Sequence, residues 1–124
     1  MRYAPIEIRS SFQHKFWGTS TLIAKTEAYM GSVNRYRAGQ SGALQYHTRK
    51  HETLYLFSGE AVLWWGDDDK NLRALTFVPG LSFQIPPGTV HKVVAITDCV
   101  IFEVSTPHTE DRVNVEHEYK DAIG

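Results

Sequence analysis

Apolar positions along this chain rarely recur at the i, i+3, i+4, i+7 spacing that builds one face of a helix. They come as short runs rich in β-branched and aromatic residues, cut by Gly, Pro and Asp clusters. The runs predict strands over 20–25, 28–36, 44–47, 52–58, 61–65, 74–78, 82–85, 90–95 and 100–104. Turn chemistry falls between them at 37–42, 58–60, 66–71, 79–80 and 86–88. With no βαβ pattern, the chain reads as all-β, a sandwich or small barrel in which each half-apolar strand turns its inner face to a shared core. The mixed-charge segment 110–120, with Val113, Val115 and Tyr119 as its apolar positions, reads as either a short helix or an ordered tail. Trp64 and Trp65 are adjacent on one predicted strand, so one of them must leave on the outer face. An outer Trp suggests a partner surface, and covering it together with an exposed sheet edge predicts a homodimer.

Polar residues on these strands carry the chemistry. Gln45 and His47 are two apart and so leave the same face of a strand. Glu52 follows a short connection, and an antiparallel return brings its carboxylate back towards that pair. His91 comes directly after the rigid Pro86-Pro87-Gly88-Thr89-Val90 turn. Two imidazoles, a carboxylate and an amide oxygen suit one divalent transition metal, Zn, Mn, Fe, Co or Ni, with water in the remaining positions. Spacing by itself leaves the ordinary alternative open, that of surface or hydrogen-bonded strand histidines.

Composition narrows the setting. The 124 residues hold 13 Lys and Arg against 14 Asp and Glu, a net charge of -1 that gives no clustered basic surplus for a nucleic-acid backbone. The single cysteine, Cys99, lies in an apolar run and reads as a buried core thiol in a reducing compartment. No run of 18 or more apolar residues exists, and Arg2, Glu7 and Arg9 stand where a signal peptide would have its apolar core. The expectation is a soluble cytoplasmic protein with no membrane partner. It forms one domain over 1–124, with a barrel over about 15–106 and a C-terminal tail over 107–124.

The run Gly39, five residues, Gln45-Tyr46-His47, four residues, Glu52, six residues, Gly59 resembles the first motif of the cupins, with Gln in place of the commoner first His. Gly80, five residues, then Pro86-Pro87-Gly88-Thr89-Val90-His91 resembles the second, with Ala95 where Asn is usual. The resemblance implies a double-stranded β-helix, or jelly-roll barrel, and Gln45, His47, Glu52 and His91 as ligands of one metal. Phe16-Trp17-Gly18, Leu44-Gln45-Tyr46-His47 and Ile101-Phe102-Glu103-Val104 are further similar to the C-terminal domain of bifunctional mannose-1-phosphate guanylyltransferase/mannose-6-phosphate isomerases, over roughly 15–120. That likeness implies a sugar or sugar-phosphate isomerase working through a metal-stabilised enediolate. Two departures stand out. Asn114 falls where the family has an Arg implicated in isomerisation, and the basic stretch after Gln-x-His is Thr48-Arg49-Lys50-His51. The nucleotidyltransferase half has no counterpart here, so no nucleotide-sugar synthesis is implied.

For a small sugar or sugar-phosphate substrate, Lys50, Lys92 and Arg37, with Arg35 and Arg49, offer charge-assisted hydrogen bonds to an anion; their ordinary role is on solvated strand edges. Glu103 and His51 are the acid/base candidates. The aromatics Tyr55, Phe57, Trp64, Trp65, Phe77 and Phe83 supply core bulk, with some available to a sugar ring. Two other functions share the same ligands: a dioxygenase using Fe, Mn or Ni, and a non-catalytic sugar-binding module.

Overall fold

In the computed structural model, which describes residues 4–115, every regular element is a strand. The strands are β1 (Ser11–Lys15), β2 (Gly18–Lys25), β3 (Met30–Tyr36), β4 (Gln45–His47), β5 (Glu52–Ser58), β6 (Ala61–Gly66), β7 (Arg73–Phe77), β8 (Ser82–Ile85), β9 (Val90–Ala95), β10 (Cys99–Ser105) and β11 (Arg112–Asn114). They form a six-stranded sheet, β1-β2-β3-β10-β5-β8, and a five-stranded sheet, β11-β4-β9-β6-β7. Every pairing is antiparallel. Strands far apart in sequence are neighbours, β3 with β10 and β4 with β9, which is the crossed connectivity of a jelly roll.

Alternation decides what is inside. On β5, Glu52, Leu54 and Leu56 are buried while the residues between them are not; on β9, His91, Val93 and Ala95 play the same part. Leu54, Leu56, Leu63, Phe77, Val93 and Ile101 anchor one continuous apolar cluster. Cys99 belongs to it, and burial pushes its thiol up to about 11. Phe77 and Phe83 meet edge to face at 5.1 Å in the same core region. Tyr55, Phe57 and Phe102 instead stack on the outer face of the six-stranded sheet. Trp64 and Trp65 are both half-buried. Trp64 is in register with Lys92 and Ala74 on the outer face, whereas Trp65 is in register with His91 and Arg73.

Nine predicted strands are present, with ends shifted by at most two residues. β3 begins at Met30 because the Thr26 hydroxyl accepts from the amides of Ala28 and Tyr29, making a turn of the residues before it. Two strands escape the pattern. β1 is polar and exposed, with Phe12 its one large apolar residue, and is held by its ladder to β2. β11 lies in the segment read as helix or tail; it pairs Arg112 with His47, Val113 with Tyr46 and Asn114 with Gln45. The rest of that tail reading, with Tyr119, lies outside the described residues. Gly18 is required by close approach, since a Cβ there would meet the Arg35 carbonyl oxygen at 1.8 Å.

Candidate metal centre

β4 and β9 place Gln45 directly opposite His91, so both side chains leave on one face, and His47 two residues on leaves there too. The His47 carbonyl accepts the Gly88 amide at 2.8 Å, tying the Pro-Pro-Gly turn before His91 to β4. Glu52 opens β5 in the facing sheet. The result is a buried group in which His91 Nε2 lies 2.9 Å and His47 Nε2 4.0 Å from Glu52 Oε1. One ligand atom from each of His47, Glu52 and His91 falls within 4.8 Å of the others, an arrangement that can hold a metal ion.

Three observations fit these donors to a divalent cation. The His47 Nδ1 faces Asp111 Oδ1 at 3.0 Å, and the His91 Nδ1 faces the Thr89 carbonyl at 2.9 Å. Each ring is thus held from behind with Nε2 turned to the centre, the usual support of a metal-ligating histidine. Gln45 Oε1 is buried with no hydrogen-bond partner among the described residues, an acceptor suited to a cation. Burial works against charge on Glu52, but the hydrogen bond and charge of His91, with Lys50 and His47 nearby, hold its carboxyl down at about 2. Burial lowers the His47 imidazole below its ordinary value and would lower that of His91, where the Glu52 carboxylate prevails and raises it.

A second charged layer sits beside the donors. Lys50 Nζ is 2.6 Å from Glu103 Oε2 and 3.5 Å from Glu52 Oε2. Asn34 Nδ2 donates to Glu103 Oε1 at 3.3 Å, and the Ser20 hydroxyl donates to Asn34 Oδ1 at 2.7 Å. Burial and the Glu52 charge push Glu103 above the ordinary carboxylate range despite Lys50. All of these groups line one cavity of about 890 Å³, which also takes in Trp17, Tyr36, Lys15, Arg112 and Asn114. Trp17 and Tyr36 stack at 4.1 Å, giving the cavity its aromatic wall.

The structure therefore brings together Gln45, His47, Glu52, His91, Glu103 and Lys50, and separates the other candidates from them. His51 is exposed and outside the cavity lining, because alternation turns it away from Glu52. Arg37 is exposed and donates to the Phe16 carbonyl, and neither it, Arg35 nor Arg49 lines the cavity. Lys92 borders the cavity, but by alternation its side chain leaves on the face opposite His91. Lys50 is buried and committed to Glu103 and Glu52, so it balances internal charge where an anion-binding lysine was expected. None of the aromatics expected for a sugar ring lines the cavity; Trp17 and Tyr36 do.

Asp111, Asn34, Ser20, Arg112 and the aromatic wall were missed as site residues. Alternation on β3 offered a signal for Asn34, since Ser32 and Asn34 are buried polar residues at inward positions. Nothing local marks Asp111, which reaches His47 across 64 residues of chain.

A family model described as "Cupin domain" matches residues 33–105. No curated protein sequence matches the chain. Among solved structures, the capsular polysaccharide assembling protein CapF from Staphylococcus aureus aligns with a TM-score of 0.78 at 20% identity, over 89% of this chain and 35% of that one. KdgF from Halomonas sp. aligns with a TM-score of 0.68 at 22% identity, over 82% of this chain and 89% of that one. Lactobacillus farciminis oxalate decarboxylase, as its formate complex, gives 0.74 at 14% identity over 90% of this chain and 35% of that one. The chain thus spans only 35% of the length of the CapF protein, and likeness at these identities establishes the fold.

Proposed function

The chain belongs to the cupin family, and from that premise we propose that it binds one divalent transition metal through Gln45, His47, Glu52 and His91 and isomerises a small polyhydroxylated, sugar-like substrate. The observation that carries this reading is Glu103: a carboxyl with raised proton affinity, in the same cavity as the metal donors, held by Lys50 and Asn34. A bound cation would supply Lewis-acid polarisation of the substrate carbonyl. The chain's own residues do the rest. Glu103 takes the proton from the carbon beside that carbonyl and returns it to the former carbonyl carbon, while the hydroxyl proton passes from the oxygen that becomes the new carbonyl to the old carbonyl oxygen, so no proton is lost overall. The Lys50 ammonium, 2.6 Å away, stabilises the carboxylate form of Glu103 before the proton arrives and after it has been returned. The Trp17–Tyr36 stack offers a sugar ring an apolar face, and the buried Asn114 Oδ1, which has no partner among the described residues, can accept from a hydroxyl.

A phosphate on the substrate would fall to Arg112 and Lys15 at the cavity wall, the cations left after Lys50 is committed to its carboxylates and Arg37 to Phe16. The reading includes a cytoplasmic setting, in keeping with the single buried Cys99. It also includes a homodimer, for which the exposed Phe57 and Val104 on the outer face of the six-stranded sheet provide apolar surface; sedimentation equilibrium at micromolar protein checks the mass.

Incubating the metal-loaded protein with mannose, mannose 6-phosphate and related aldoses in D2O tests the reaction. Aldose–ketose interconversion with solvent deuterium entering at the carbon beside the carbonyl is expected, abolished by chelation and restored by metal. Metal-loaded protein that gives neither conversion nor exchange with any of these sugars would remove the isomerase reading.

A further inference from the structure

Asp111, just before β11 and outside the segment matched by the family model, reaches the site across 64 residues of chain. Its two carboxylate oxygens divide their work. Oδ1 is 3.0 Å from His47 Nδ1, while Oδ2 accepts the backbone amides of Arg49 at 2.6 Å and Lys50 at 2.7 Å. Its carbonyl accepts the Thr48 amide at 3.3 Å. The connection 48–51, which carries the chain from His47 to Glu52, is therefore pinned by the same carboxylate that faces the His47 ring. β11 continues the clamp by pairing Arg112 with His47 and Asn114 with Gln45.

We infer that Asp111 is a positioning residue that fixes the His47 tautomer, so that the C-terminal strand beyond the matched domain completes the metal centre. The argument is one of donor and acceptor. A carboxylate only accepts, so the ring nitrogen facing it must carry the proton, and Nε2 is left with its lone pair turned to Glu52 and His91. Asp111→Asn keeps size and reverses this logic. The amide oxygen can still accept from the Arg49 and Lys50 amides, and the NH2 group then faces Nδ1, which must accept; the proton moves to Nε2 and blocks the ligand atom.

This inference rests on the proposed metal site, and the test separates the two. In metal-free protein at pH 8, 15N imidazole shifts are expected to show His47 protonated at Nδ1, and at Nε2 in Asp111→Asn, with circular dichroism unchanged. Calorimetric titration with Mn(II) and with Zn(II), run separately, is expected to show affinity reduced by roughly 10–100-fold in the variant. Glu110→Gln, an exposed neighbour, is expected to match the unmodified protein. A wild-type His47 protonated at Nε2, or a folded variant that keeps both tautomer and affinity, overturns the inference. Should the variant not fold, the wild-type shifts decide alone. Should the unmodified protein bind neither metal, the metal reading fails while the tautomer still decides the role of Asp111.

Discussion

The two ends of the barrel interior are built from the same strands and have opposite chemistry. Along β5 the inward side chains run from Glu52 to Leu54 and Leu56; along β9 from His91 to Val93 and Ala95; along β10, read backwards, from Glu103 to Ile101 and Cys99. Each of these three strands thus changes from ionisable to apolar within one inward step. At the apolar end the residues need only shape, and Leu56, Phe77 and Ile101 are almost fully buried. At the polar end charge survives burial because each group has a partner: Glu52 with His91, Lys50 with two carboxylates, Glu103 with Lys50 and Asn34. The difference assigns cost and purpose. An apolar plug at one end stabilises a barrel whose other end holds a charge cluster that adds little net stability and makes sense as a site.

If that division holds, a change at the polar end that leaves every charged group with a partner should remove function at small structural cost. The largest effect is expected from Glu103→Gln, which is isosteric and still accepts from Lys50: isomerase turnover should fall by roughly 10²–10⁴-fold with the thermal midpoint and metal affinity unchanged. Retained turnover would move the proton transfer to another group.

Lys50→Met sharpens the comparison from the other side, because it leaves two carboxylates facing each other without the ammonium. Breaking a buried pair costs about 3–5 kcal/mol, measured by urea unfolding at pH 8. Glu103 already has a raised proton affinity from burial and the Glu52 charge, so lowering the pH protonates it first and the loss should shrink. A pH-independent loss would mean that packing, not charge, is what Lys50 contributes. At the opposite end, Leu56→Ala should cost about 2–5 kcal/mol through transfer and cavity terms, without altering affinity for Mn(II) or the pH profile of activity.

What the sequence discloses follows the same division. Strands whose inward positions are apolar, such as β5, β6 and β9, are legible because period-two alternation is a local signal. The cluster of His47, Glu52 and His91, with Gln45 opposite His91, is legible because these residues sit at motif spacing on or beside such strands. β1 and β11 are not, since both are short edge strands of largely exposed or polar residues whose pairing is decided by a neighbour's free edge. The same limit hid Asp111. It also reversed the reading of Lys50, whose charge is visible in sequence but whose partners, Glu103 and Glu52, converge only in the fold. Lys92 and Arg37 look equivalent to Lys50 in composition, and only strand face and hydrogen bonding separate them.

The smallest expected effect tests whether the polar end is graded or all-or-none. Asn34 belongs to neither the donor set nor the charged pair; it gives Glu103 one hydrogen bond from a neutral amide at 3.3 Å and is itself oriented by Ser20. A donor to a carboxylate favours the ionised form, so Asn34→Ala should raise the proton affinity of Glu103 further. On the proposed mechanism Glu103 acts as the base, so the acidic limb of the rate profile is expected above the ordinary carboxylate range, and higher still in the variant. At alkaline pH turnover should be nearly unchanged, and stability should fall by only about 1 kcal/mol, the usual worth of one hydrogen bond. A limb that stays in place while turnover drops at every pH would assign Asn34 to substrate contact, and the boundary between the two ends of the barrel would then lie one residue layer further out.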